Sequence, residues 1–113
     1  MEYKYEIYQL NDSDEATAMR FMSIYHNVEN GRIPRKDLYN LVYSGTGLFP
    51  DLNKQEDKQE VLEAIYCRFN SSELIPKNFR GHSLSVSDVV VLNGEPFYCN
   101  HTGFSPLTNL TEW

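Results

Sequence analysis

Positive charge is scarce in this chain, cysteine is scarcer, and a long apolar run is missing altogether. Ten Lys and Arg stand against sixteen Asp and Glu in 113 residues, giving a formal net charge of −6 and a pI near 4.9. A surface biased in this way repels phosphate backbones and attracts basic partners, so direct nucleic-acid binding is not expected, whether sequence-specific or not. No segment approaches the roughly 18 apolar residues that a membrane-spanning helix needs. The opening Met1-Glu2-Tyr3-Lys4-Tyr5-Glu6 lacks the basic and apolar regions of a secretion signal, and the expected location is the cytoplasm. There, Cys67 and Cys99 read as reduced, partly buried small hydrophobes rather than as a disulfide. The sequons at Asn11, Asn70, Asn100 and Asn109 read as turn and cap residues for the same reason.

What is present belongs to one folded domain. The apolar fraction is 41% and the charged fraction 23%, both ordinary for a globular chain of this length. Tyr3, Tyr5 and Ile7 alternate with Lys4, Glu6 and Tyr8, a period of two that predicts a half-buried strand ending near Leu10. Asp12 and Glu15 form a possible capping box, and Ala16–Tyr25 reads as one or two helical turns, with a short strand around Arg20–Phe21 as the competing reading. Asn30-Gly31 ends that segment. A second strand is predicted over Leu38–Tyr43, closed by a turn at Ser44-Gly45-Thr46-Gly47. Val61, Leu62, Ile65, Tyr66 and Phe69 recur at helical spacing, predicting a helix from about Lys54 to Phe69 capped by Asn53 and Glu56. Asn70–Arg80 reads as a loop. Val89–Leu92 suits a central strand, and Asn93-Gly94 marks a hairpin whose return strand contains Phe97-Tyr98-Cys99. Pro96 should lie beside the turn or face solvent, because it cannot donate to a ladder. The expected architecture is a single α+β domain over residues 1–113, a mostly antiparallel sheet with one long helix and one or two short helices packed on it.

The catalytic content is thin. Cys99 and His101 would point the same way on a strand, and with His82 and Asp88 they contain donor types that zinc accepts, but the spacing of a structural site is absent. No metal and no cofactor is expected. His82 and His101, assisted by Ser85 or Asp88, are the candidate acid and base of a hydrolase or ribonuclease. No nucleophile elbow, phosphate loop or paired-histidine motif supports them. Gly45-x-Gly47 reads as a turn, and Ser87-Asp88 as a turn whose side chains bond nearby backbone N–H groups. The acidic segment Asp51–Glu63 carries Glu56, Asp57, Glu60 and Glu63 against Lys54 and Lys58. It is either a solvated helix face or a surface that competes for a basic groove on another protein. Lys77, Arg80, Arg32, Arg35 and Lys36 leave some positive character elsewhere. Tyr3, Tyr8, Tyr39 and Tyr43 are candidate interface anchors, with core or strand surface as the plainer reading.

Three passages together resemble the YodL-like domain. These are Tyr5-Glu6-Ile7-Tyr8-Gln9-Leu10, the tyrosine-rich Asp37–Tyr43, and Arg80-Gly81-His82-Ser83-Leu84-Ser85-Val86-Ser87-Asp88-Val89-Val90, completed by Gly103-Phe104. The chain departs from the pattern at Asn100, where an acidic residue would be expected after the aromatic strand. The resemblance implies a small protein of Gram-positive bacteria or their mobile elements, with no established enzymatic activity. By analogy it suggests a non-enzymatic inhibitor, of anti-CRISPR type, that occupies a basic surface of a type II effector nuclease or blocks its assembly with guide RNA. Glu56, Asp57, Glu60 and Glu63 would make the contact. Two alternatives stand beside it. One is a modulator of cell shape acting on the actin-like cytoskeleton, and the other a guide-RNA-cleaving ribonuclease using His82 and His101.

Overall fold

The sheet is built on β1 (Glu2–Leu10), whose alternation of buried side chains feeds two separate cores. In a computed structural model that describes residues 1–49, 52–108, 110 and 113, five antiparallel strands lie in the order β2-β1-β3-β4-β5. The other strands are β2 (Tyr39–Leu48), β3 (Val89–Leu92), β4 (Glu95–Cys99) and β5 (Phe104–Pro106). Tyr5 and Ile7 point to one face with Val90, Leu92, Phe97 and Cys99, and helix α3 (Gln55–Arg68) covers them with Val61, Leu62 and Ile65. Tyr8 and Leu10 point to the other face with Val89, Val91 and Tyr98. There, the short helices α1 (Asp14–Met19) and α2 (Ile24–Glu29) contribute Ala16, Met19 and Ile24. The sheet is thus sandwiched between one long helix and two short ones. The long helix and the short helices pack on the sheet as expected, and they take opposite faces: a sheet buried on both sides needs a cover on both. The continuous apolar run Val89–Leu92 is buried throughout for this reason.

Several local expectations are revised. α1 is capped by Ser13, whose Oγ accepts from Ala16 N at 3.2 Å, and not by a box from Asp12 to Glu15. Glu15 instead takes a two-pronged bond from Arg35, both contacts at 2.9 Å. Ala16–Tyr25 holds helical turns as expected, the end of α1 and the start of α2, and Arg20–Phe21 is a turn and not a strand. Phe21 adopts φ +64°, which stops α1, and Ser23 Oγ then caps α2 through His26 N at 3.2 Å. Lys54, not Asn53, holds the cap position of α3, with no side-chain cap bond there. Cys67 is exposed and Cys99 buried, and both are free thiols.

The largest revision concerns Ser44-Gly45-Thr46-Gly47, which is strand and not turn. β2 runs in register with β1 out to the pair Glu2–Leu48, with a bulge at Val42 between the pairs Ile7–Tyr43 and Tyr8–Leu41. The glycines give the rings of Tyr5 and Tyr3 a bare backbone to lie on. A Cβ at Gly45 would sit 2.9 Å from Tyr5 Cζ, and one at Gly47 would overlap the Tyr3 ring.

The hairpin is as expected. Asn93 and Gly94 take φ +48° and +84°, and Pro96 lies next to the turn, opposite Val91. Asn11, Asn70 and Asn100 are turn and cap partners: Asn11 Oδ1 accepts Ser13 N, Asn70 Nδ2 donates to Leu84 O, and Asn100 Oδ1 accepts Ile24 N. The sequon at Asn109, and Asp51 at the head of the acidic segment, lie outside the described residues. No helix among the described residues is long and apolar enough to cross a membrane.

Candidate functional site

Two polar regions compete for attention, and the structure treats them oppositely. The first is the segment Gly81–Asp88, which leads into β3. Because Tyr8 pairs with Val89, Gln9 falls opposite Asp88 and turns to the α3 face. Both side chains are buried, with 3% and 2% of their surfaces exposed. Gln9 Nε2 donates to Asp88 Oδ2 at 3.0 Å and to His82 O at 2.8 Å, while Gln9 Oε1 accepts His82 N at 3.1 Å. Asp88 Oδ2 also accepts Ser85 N at 2.8 Å. Gly81 is required for this approach, since a Cβ there would collide with Gln9 Oε1. Leu84 fills the core, and Ser87, at φ +83°, ties three elements together. Its N–H donates to Cys99 O (2.9 Å), its Oγ accepts Phe21 N (3.1 Å), and its carbonyl accepts the Tyr39 hydroxyl (2.7 Å).

Burial holds the Asp88 carboxyl up at about 7, against the pull of the Ser85 N–H, His82 and Gln9. Burial likewise lifts the Cys99 thiol to about 12, which makes it a packing group and not a nucleophile. Asp88 thus does what its residue type suggests, bonding the nearby Ser85 N–H, whereas the Ser87 hydroxyl reaches Phe21 N, distant in the chain. Gln9 was not picked out in the sequence as a site residue. Its one signal was an amide on the inward-facing side of an otherwise apolar and aromatic strand.

His82 and His101 are not brought together among the described residues. His82 Nδ1 lies 2.7 Å from Ser83 O and 3.3 Å from Gln9 Nε2. His101 instead borders a groove of about 440 Å³ with Glu63, Tyr66, Cys99 and Phe104. No hydrogen bond joins the two imidazoles, and no group of three or more His, Cys, Asp or Glu among the described residues is placed to hold a metal ion. Asn100, in the place where an acidic residue was expected, bridges elements. Its Oδ1 accepts Ile24 N (2.9 Å) and its Nδ2 donates to Ser105 Oγ (2.6 Å).

The second region is the outer face of α3. Val61, Leu62 and Ile65 take the core, which leaves Glu56, Glu60 and Glu63 exposed one turn after another; Asp57 is half-buried. None of the four makes an ion pair among the described residues, whereas Lys58 is drawn off to Glu95 at 2.9 Å. Four of the cations elsewhere are used in holding the fold. Arg20 bonds Leu10 O and Asn11 O, Arg35 bonds Glu15 and Asp37, Arg68 bonds Tyr5 Oη and Leu74 O, and Lys36 lies over the Tyr8 ring. Of the proposed tyrosine anchors, Tyr8 and Tyr39 are buried and Tyr3 and Tyr43 half-buried. The exposed aromatic side chains are instead Phe21 and Tyr25, beside the α1–α2 break.

The fold and its surfaces define a small helix-covered antiparallel sheet with a row of exposed carboxylates along its long helix. The sequence model of the YodL-like domain matches residues 4–109, nearly the whole chain, and the protein belongs to that family. No curated protein and no solved structure matches it significantly.

Proposed function

We propose that this YodL-like protein is a non-catalytic inhibitor that docks on a basic surface of another protein through the outer face of α3. The observation that carries this reading is the row of exposed carboxylates Glu56, Glu60 and Glu63, without an ion pair among the described residues, on a molecule with a net charge of −6. A negative row on a rigid helix fits a groove built to hold a phosphate backbone. A type II CRISPR effector nuclease has such a groove for its guide and target strands, and an acidic domain lodged there excludes both. The ribonuclease alternative has less support, because the His82 ring is engaged by the loop behind β3 while His101 borders a different groove.

The test is a binding titration of the purified chain against the effector, with and without guide RNA. Glu56→Gln, Glu60→Gln and Glu63→Gln combined should weaken binding about tenfold or more, and raising salt to about 0.5 M should do the same to the unaltered chain. Binding indifferent to both changes would remove the electrostatic reading. Recovery of an actin-like cytoskeletal protein as the basic partner, with no effect on the nuclease, would replace the target.

A further inference from the structure

The sheet's two edges end differently. β5 has three residues and finishes on Pro106, a short edge that proline blunts. β2 has ten residues and not one Lys, Arg, Asp, Glu or Pro. Met1 and Phe49 exchange both backbone bonds, at 2.7 and 3.0 Å. By antiparallel alternation, Gly47, Gly45 and Tyr43 then bond β1, and the N–H and C=O groups of Ser44, Thr46 and Leu48 point away from it. No backbone bond reaches those outward groups among the described residues. Beyond them the edge is closed at the bulge, where Arg80 N donates to Val42 O at 3.3 Å. Leu48, at the open end, is 81% exposed.

We propose that this open stretch pairs with the same stretch of a second copy of the chain, antiparallel about a twofold axis at Thr46. The product is a dimer with a continuous sheet, five strands from each copy. In this register Thr46 faces its twin and Ser44 faces Leu48 of the other copy, so every outward group is used in about six backbone bonds. A slip of two residues leaves about four. The self-complementary register favours a like partner, and charge does not prevent it. Two acidic molecules repel, but the seam Ser44–Leu48 itself carries no charge; Arg80 flanks its closed end beside Val42 and Ser44, and the other nearby charges sit one strand back on β1. Lys4 lies opposite Thr46, so the two Lys4 side chains are three strand spacings apart, about 14 Å, beyond the screening length of about 8 Å. The axis is perpendicular to the sheet, so both α3 helices fall on the same side and their acidic faces add. The pairing itself does not depend on what those faces bind.

A two-strand seam is small, so the expected dissociation constant is roughly 10–100 µM. Sedimentation equilibrium from about 5 µM to 1 mM reads it directly. Thr46→Lys sets two ammonium groups against each other, and Thr46→Pro removes an N–H that the monomer does not use. Both should be monomeric with an unchanged circular dichroism spectrum. Thr46→Val keeps the backbone groups and should still dimerise. The proposal is overturned by a chain that stays monomeric at about 1 mM, by dimerisation that survives both Lys and Pro, or by its loss in the Val variant.

Discussion

The Gln9–Asp88 pair behind the loop Gly81–Asp88 and the outer face of α3 are both polar, yet the first spends its polarity inside the molecule and the second leaves it in water. In the loop, the amide of Gln9, the carboxyl of Asp88 and three backbone groups satisfy one another at 2.8–3.1 Å. On α3, Glu56, Glu60 and Glu63 make no ion pair among the described residues. A polar residue that is buried and satisfied specifies the fold, because leaving its partners unpaired is costly. One that is exposed and unpaired costs the fold little and remains available to another molecule.

The contrast can be broken at its strong end first. Gln9→Ala strands His82 N and takes a donor from Asp88, and should cost about 2–4 kcal/mol, read as a fall of roughly 8–15 °C in melting temperature. A fall of only a degree or two would mean that water replaces the amide. Gly81→Ala drives a methyl against Gln9 Oε1, which cannot swing away without releasing His82 N, and should cost about 1–2 kcal/mol in urea unfolding. Combined with Gln9→Ala, the same change should cost much less, since its obstacle is gone.

The Asp88 carboxyl sharpens the comparison through pH. Its level is raised from 3.8 unfolded to about 7 folded. The folded state therefore binds the proton more tightly, and the stability from this group is fully present below pH 3.8 and lost as pH rises through about 7. Asp88→Asn keeps an oxygen for Ser85 N and Gln9 Nε2 while removing the titration. Its melting temperature should vary less than that of the unaltered chain between about pH 5 and 8 and match or exceed it at the upper end. A wild-type slope in the variant would place the titrating group elsewhere. The smallest effect belongs to α3. Combined Glu56→Gln, Glu60→Gln and Glu63→Gln should change stability by no more than about 0.5 kcal/mol, the usual range for free surface charges. A large loss would make that helix face structural like the loop.

Much of this was legible along the chain, and the failures share a cause. The period of two in Tyr3–Ile7, the helical spacing of Val61, Leu62 and Ile65, and Asn93-Gly94 are local signals, and each element formed where expected. Ser44–Gly47 was misread because two glycines in four residues ordinarily punctuate a chain; the rings that make them part of a strand, Tyr3 and Tyr5, lie some forty residues earlier. The break at Phe21 was hidden likewise, since the serine that bonds its N–H is Ser87. For the candidate site, the acidic run was plain in the sequence. Which carboxylates face water was settled only when α3 chose its buried side and Lys58 was taken by Glu95.

The sequence alone determined the charge balance, the strand and helix rhythms and the family, because these depend on residue types and short spacings. Only the tertiary structure decided that Gln9 meets Asp88, that β2 runs on through its glycines to an open edge, and that the Asp88 carboxyl is interior while the carboxylates of the acidic helix face are not. Each of those outcomes depends on contacts between residues distant in the chain, and burial, which sets whether a polar group binds inward or outward, exists only once those contacts are made.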